Sequence, residues 1–334
     1  MKEEHIRPAQ LVKKMQSSTS HDVNFLLKRK KEFVKTACPS CAKKNYKKFF
    51  KKRGFSYSIC KNCRTYFLNP RPNLDLLGQF YKQSKVYEYF NKYIFPQTEK
   101  ARSKNIFVPR VSQIIKICKY RKIKKPCMMD VGAGFGSFLK VAKNSNFFSK
   151  LVAIEPSRDG AKNCKKNKLD VFEDILENAN TKIIKKQDII TSFEVIEHLY
   201  SPFKFLKLIK KFLKKNGLFI ITCPNGEGFD IQLLKEKSNS IDHEHINYFN
   251  PNSIKKLYDR AGFKIIEIFT PGKLDVDIVI NNLQKNKKQI YKNENFITKF
   301  ILDNKNLIIK KKFQEFLMEN NLSSNMWVVA KIKN

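Results

Sequence analysis

A doubly wound α/β fold around a mostly parallel sheet is what this sequence predicts, and three observations predict it. An apolar run ending Met128-Met129-Asp130-Val131 breaks into Gly132-Ala133-Gly134-Phe135-Gly136 and then an amphipathic segment. That is a strand, a tight turn and a helix start, where backbone has to approach a ligand closely. The next apolar run, 151–154, ends in Glu155, nineteen residues after Gly136. At that separation a nucleoside site places a carboxylate to accept both ribose hydroxyls. From residue 127 onward, strand and helix periodicities alternate, which builds βαβ units and a parallel sheet. The glycine spacing is G-x-G-x-G, with Ser137 where a dinucleotide fingerprint has its third Gly or Ala, and this weighs against a nicotinamide cofactor.

Taken in order, the chain divides into four parts. Residues 1–37 are a basic leader whose apolar positions, among them Leu11, Val12, Phe25, Leu26 and Phe33, are spaced as in one or two amphipathic helices. Residues 38–70 carry Cys38-Pro-Ser-Cys41 and Cys60-Lys-Asn-Cys63, two pairs separated by eighteen residues, within the window for a four-thiolate structural zinc site. Between them, 47–50 and 55–59 flank Lys51-Lys-Arg-Gly54, a hairpin signal. Four thiolates close the coordination sphere, so this metal is expected to hold structure and not to activate water. Residues 71–125 form a helical connector rich in aromatic residues, and the rings of Phe80, Tyr81, Tyr87 and Phe90 suit packing or a lid over the site, with Tyr81 or Tyr87 closing. Pro96 and Pro109 are expected to mark turns within it.

Residues 126–334 form the α/β domain. Strands are expected at 127–131, 151–155, 169–172, 188–193, 218–223, 263–269 and 326–332, with the stretch 183–186 left open. Helices are expected at 138–144, 160–166, 202–214 and after Asn250-Pro251, the third ended by Gly217 and the fourth by Gly262. The stretch 271–324, which contains a helix over 307–318, reads as an insertion between the last two strands.

With 42% hydrophobic residues, the 334-residue chain can bury one full α/β core and a smaller appendage. The sequence has no apolar run of membrane-spanning length and no secretory h-region, so a cytoplasmic location is expected. The formal charge of +37 would suit phosphate neutralisation, but only ten of the 67 basic residues are Arg, and the lysines are spread along the chain. Compositional bias accounts for that pattern, and the same field would serve a small anionic substrate.

Several of these segments together resemble a family. Asp130-Val-Gly-Ala-Gly-Phe-Gly136, Glu155-Pro156-Ser157, Phe193-Glu-Val-Ile-Glu-His-Leu199 and the 218–225 run ending Cys-Pro-Asn are similar to the successive motifs of class I S-adenosylmethionine-dependent methyltransferases, whose seven-stranded sheet is Rossmann-like. The four cysteines and Asp242-His-Glu-His-Ile-Asn-Tyr-Phe249 resemble the zinc-ribbon-bearing branch that includes sugar C-methyltransferases. The resemblance implies S-adenosylmethionine held by Asp130, the backbone of Gly132, Ala133, Gly134 and Gly136, Glu155 on the ribose, Asp174 on the adenine amine, and a far wall of Phe193 and Glu194.

For chemistry, the resemblance points to His198 after the fourth strand and to Glu244 and His245 in the loop after the fifth. A neutral imidazole suits removal of a proton from a hydroxyl or an enolisable carbon. Sugar C-methyltransferases of this branch have a tyrosine where this chain has Asp242, so O-methylation stays open, and Tyr248 is the phenol that would replace it. A metal on His243, Glu244 and His245 is the weaker alternative, because methyl transfer of this kind needs no Lewis acid. The expected reaction is methyl transfer to a small, anionic, sugar-containing acceptor. The alternatives are an RNA methyltransferase and a non-catalytic cofactor-binding scaffold. The acceptor and the oligomeric state stay open.

Overall fold

The computed structural model of the chain describes residues 3–182, 184–285 and 307–333. In chain order the strands are β1 (Phe33–Val34), β2 (Tyr46–Lys52), β3 (Phe55–Cys60), β4 (Tyr66–Leu68), β5 (Arg71–Pro72), β6 (Cys127–Val131), β7 (Lys150–Ile154), β8 (Asp170–Phe172), β9 (Gln187–Phe193), β10 (Leu213–Pro224), β11 (Asn247–Tyr248), β12 (Phe263–Phe269) and β13 (Asn325–Ile332). Seven of them form one sheet in the order β12-β13-β10-β9-β6-β7-β8. The pairs among β10, β9, β6, β7 and β8 are parallel, and β13 runs antiparallel to both of its neighbours. The strand order reverses between β6 and β9, and a ligand crevice opens beyond the carboxyl ends of the strands at such a point. This is the Rossmann-like sheet the sequence predicts.

Central strands of a sheet covered on both faces read as continuous apolar runs. Ile189 and Ile190 of β9 and Leu218 to Ile221 of β10 are accordingly all buried. One face packs on Phe205, Leu206, Ile209, Leu257 and Tyr258; the other packs on Val111, Ile114, Phe138 and Leu139. The helix Pro251–Ala261 has the predicted ends. Asn250 and Ser253 form a reciprocal cap, and Gly262 stops the helix at φ +83°.

Two boundaries differ from expectation. The helix that starts at Pro202 ends at Phe212, before Gly217, because Leu213 is already extended and pairs with Gln187 of β9. Gly217 lies inside β10, where an added Cβ would stand 2.8 Å from Leu213 Cδ1, so its role is close packing and not helix termination. Pro96 and Pro109 do not turn the chain. Helix continues from Lys85 to Tyr120, and each proline follows a widened π-helical turn, Phe90–Ile94 and Ser103–Phe107, which accommodates the missing N–H. Of the 183–186 stretch, residue 183 lies outside the described residues and 184–186 form no strand.

The four-stranded sheet lies beside the cysteine pairs, with Cys60 ending β3, and it draws a strand from outside them. Its order is β11-β4-β3-β2, with Asn247 opposite Phe67 and Tyr248 opposite Tyr66. The leader also joins this body. Val23 and Leu26 of helix Gln16–Leu27 share an apolar cluster with Phe55, Tyr57, Leu76, Phe80, Ile246 and Tyr248. Between β12 and β13 the described residues contain helices Asp275–Lys285 and Leu307–Glu319, which meet each other and the helix Phe229–Leu234 through Phe229, Val276, Phe313 and Leu317. Among the described residues no helix is long and apolar enough to cross a membrane.

Candidate active site

The glycine turn after β6 sits at the crevice. Gly134 has φ +54°, and a Cβ built on it would meet nothing within 4 Å, so this backbone faces open space in which a ligand fits. Gly136 is required for packing instead, since a Cβ there would stand 2.7 Å from Cys164 Sγ. The N–H groups of Gly132 and Ala133 both donate to the Ile154 carbonyl, at 2.9 and 3.1 Å, and that of Gly134 donates to Glu155 Oε2 at 2.7 Å. The turn is therefore fixed from within, and those N–H groups already have partners.

Glu155 is only 6% exposed, and its other oxygen accepts from Ser157 N at 2.8 Å. Burial raises its pKa while these hydrogen bonds oppose the rise. Each carboxylate oxygen keeps a further lone pair for a diol. Asp130, at the end of β6, is buried and accepts from Thr191 Oγ1 at 2.7 Å. Burial pushes its carboxyl up to about 7 against the pull of Thr191 and Arg110. Phe193 meets Phe138 edge to face at 4.9 Å. Glu194 takes the left-handed backbone at φ +56°, a conformation that costs a non-glycine residue energy and concentrates at functional sites. Its Oε1 accepts from Thr222 Oγ1 at 2.6 Å and Asn325 Nδ2 at 3.0 Å. The Asp174 carboxylate is engaged by its own turn, accepting from Ile175 N at 2.7 Å and Asn178 Nδ2 at 2.8 Å, and these bonds lower its pKa.

Sequence reasoning missed Arg110, on helix Val108–Tyr120. Its guanidinium lies 4.5 Å over the Phe193 ring and donates to Thr222 Oγ1 at 3.2 Å and Glu194 Oε1 at 3.4 Å. An arginine in a chain that almost always uses lysine was the available signal, since Arg is the residue for stacked and forked contacts.

The glycine turn touches the histidine segment directly: an added Cβ on Gly132 would meet Val195 Cγ2 at 2.7 Å. Three residues on, His198 donates from Nδ1 to the Glu244 carbonyl at 3.0 Å. His245 donates from Nδ1 to the Ser240 carbonyl at 3.0 Å, and the two imidazole centroids are 4.7 Å apart. Burial holds both rings below their ordinary pKa, His198 far below. Tyr81 and Tyr87 close over this pair. The Tyr81 hydroxyl lies 3.1 Å from the His198 carbonyl, and that of Tyr87 lies 3.5 Å from His198 Nδ1.

The Glu244 carboxyl joins Asp22 and His243 in a second, largely buried group, with Oε1 4.0 Å from His243 Nε2. Burial raises it to about 7 against the opposing effect of His243. His243 stacks on Phe55 and meets Phe80 edge to face, and its Nδ1 pairs with Asp242. Tyr248 is fully buried, and its hydroxyl accepts from Asp242 N at 2.9 Å, so the phenol braces the loop. Asp22 of the leader accepts from Ser84 Oγ, Lys85 N and Val86 N at 2.6, 2.9 and 3.0 Å, which pins the start of the helix bearing Tyr87.

Cys38, Cys41, Cys60 and Cys63 converge with all four sulfurs within 4.8 Å of one another, and the Cys38–Cys63 and Cys41–Cys60 separations are 3.5 Å. Four thiolates about 2.3 Å from a central Zn²⁺ need sulfur separations only slightly longer than this, so the donor set fits tetrahedral zinc. The knuckle is tied to the α/β domain, because the Cys63 carbonyl accepts from Asn250 Nδ2 at 3.1 Å and Ser40 Oγ donates to the Ser253 carbonyl at 2.5 Å.

The methyltransferase domain family matches residues 102–268, half of the 334. A ubiquinone biosynthesis O-methyltransferase of Pelagibacter ubique is 32% identical over 120 residues, 34% of this chain and 49% of that protein, so the match spans about half of the relative's length. An S-adenosylmethionine-dependent methyltransferase of Clostridium acetobutylicum aligns over 75% of this chain and 98% of its own at 13% identity and a TM-score of 0.47. One from Archaeoglobus fulgidus aligns over 72% and 100% at 20% identity and a TM-score of 0.45. With that family matching from the connector helices through β12, and with the strand order and glycine turn described above, the chain belongs to the methyltransferase domain family.

Proposed function

We propose that this chain transfers the methyl group of S-adenosylmethionine to a small, sugar-containing acceptor such as a nucleotide sugar or a surface-glycan precursor, at carbon or oxygen. The observation that carries the reading is the contact between the glycine turn and the segment bearing His198. It sets an open-faced glycine and a buried ribose-type carboxylate beside two neutral imidazoles. The bound cofactor supplies a sulfonium whose methyl carbon is electrophilic, and its thioether product leaves as the acceptor's lone pair forms the new bond. Glu155 binds the ribose diol, and Asp130 and the open face of Gly134 border the aminocarboxypropyl arm. Phe193 and Glu194 wall the far side.

The chain's remaining task is to align the acceptor and take its proton. With Nδ1 tied to a carbonyl, each imidazole turns an unprotonated Nε2 to the pocket, and His245 receives the proton there. Tyr81 and Tyr87 shield the pair and bring phenols to the site, so the family's missing tyrosine at Asp242 is made up from the connector. Cys38, Cys41, Cys60 and Cys63 hold one structural Zn²⁺ behind the loop. The test is a screen of nucleotide sugars and RNA for labelled methyl uptake. A nucleotide sugar is expected to take label, and His245→Ala is expected to lower turnover about 10²- to 10⁴-fold with cofactor affinity unchanged. Labelling of RNA alone would overturn the acceptor class, and full turnover by His245→Ala would overturn the base.

A further inference from the structure

We infer that Glu197, His198 and His245 form a binding site for a divalent transition-metal cation, an inference that rests on the reading of this pocket as the acceptor side. One donor atom from each of the three residues lies within 4.8 Å of the other two. Both imidazoles are oriented as metal ligands usually are, with Nδ1–H donated to a main-chain carbonyl and Nε2 left as the lone-pair atom. Glu197 is 0% exposed, and neither of its carboxyl oxygens has a hydrogen-bond partner. Its position is set by the main chain, since its carbonyl accepts from Ile246 N and Asn247 N, both at 3.0 Å. The loop that carries His245 and the turn that carries Glu197 are thereby held together.

With Glu197 ionised, the set contains acceptors only: two imidazole lone pairs and a carboxylate within 4.8 Å of one another. A buried unpaired carboxylate is costly unless something positive meets it. The neighbouring Glu194 adds further negative charge, which Arg110 only partly offsets. No hydrogen bond links the three side chains, yet they are close enough to share one ion at about 2.0–2.2 Å. Two neutral imidazoles and one carboxylate suit Zn²⁺, Co²⁺ or Fe²⁺ and leave coordination positions open for an oxygen of the acceptor. The adjacent group of Asp22, His243 and Glu244 is not equivalent, because both Asp22 oxygens are already engaged by Ser84, Lys85 and Val86. In a chain loaded with such an ion, Glu197, His198 and His245 would hold it and it would lower the pKa of a bound acceptor oxygen, while in the metal-free chain His245 keeps the proton-accepting role.

The test uses the full chain with its four-cysteine site filled by zinc, titrated with Co²⁺ by calorimetry and visible absorption. One Co²⁺ per chain is expected, with ligand-field bands and no thiolate charge transfer. Glu197→Gln and His245→Gln are each expected to weaken binding at least about tenfold. Retained zinc and unchanged S-adenosylhomocysteine affinity show that both variants are folded. No Co²⁺ uptake outside the cysteine site, or wild-type affinity in both variants, would overturn the inference. Co²⁺ binding without S-adenosylhomocysteine binding would keep this site and remove the methyl-transfer reading; the converse would do the opposite.

Discussion

The proposed cofactor cradle and the proposed acceptor wall meet beyond the carboxyl ends of one sheet and are built in opposite ways. The cradle comes from consecutive chain, residues 130–157, and consists largely of backbone: three positive-φ glycines and a carboxylate pinned by two N–H groups. The wall is assembled from side chains far apart in sequence. Asp22, Tyr81, Tyr87, His198 and the loop around His245 meet only after folding. The wall also leans on the cysteine sheet, through the pairing of β11 with β4, the Tyr57 hydroxyl on the Asp242 carbonyl at 2.9 Å, and Lys52 on the carbonyls of Ser238 and Ile241 at 2.7 and 2.6 Å. A site made of contiguous backbone survives damage elsewhere, whereas an assembled one does not.

The largest expected effect comes from separating the two halves. Cys60→Ser removes one of the four proposed zinc ligands and is expected to release the sheet that braces the His243 to His245 loop, because metal binding in such knuckles is folding free energy. Methyl transfer is expected to fall more than about 100-fold, with S-adenosylhomocysteine affinity changed by no more than about threefold. Equal losses in turnover and in affinity, measured on the same preparation, would show that the cradle also depends on the ribbon and would break the comparison.

A smaller effect sharpens it from the cradle side. The Asp130 carboxyl, pushed up to about 7 by burial, binds its proton in the folded chain at pH values where the unfolded chain, with an ordinary value near about 3.9, has lost it. Between those values the folded state holds more protons, so stability falls as pH rises from about 4 to about 7. Asp130→Asn keeps an acceptor for Thr191 and removes the charge, so relative to the native chain it is expected to gain about 1–3 kcal/mol above pH 7 and little at pH 4.5. Denaturant unfolding at the two pH values checks this; a difference that does not change with pH would mean that Asp130 is not a costly buried charge.

What the sequence made legible follows the same division. The glycine turn, Glu155 and the alternation of strands and helices rest on local spacing and period, and the structure has them where the pattern places them. The start of the helix after Asn250 and its stop at Gly262 were legible for the same reason, since cap residues act within one turn. Pro96 and Pro109 misled because a proline's missing N–H can be absorbed by a widened turn, and the sequence does not mark where that happens. Gly217 misled because a close approach to Leu213 and a helix stop call for the same residue. Arg110 and the strand β11 were out of reach because each is defined by a partner dozens of residues away, and the unpartnered carboxyl of Glu197 because its burial is set by the whole fold. The loop Asp242 to Tyr248 was legible as chemistry but not in its pairing, for the Glu244 carboxyl turns to Asp22 and His243 while His245 turns to His198.

The most direct measurement is a calorimetric titration of the zinc-loaded chain and of Glu155→Ala with S-adenosylhomocysteine. One molecule is expected to bind per native chain, and loss of the charged bonds to the ribose is expected to weaken Glu155→Ala by about 2–4 kcal/mol, roughly 30- to 1000-fold. No heat with the native chain, or the same affinity in both proteins, would contradict the assignment of this crevice to a sulfonium nucleoside.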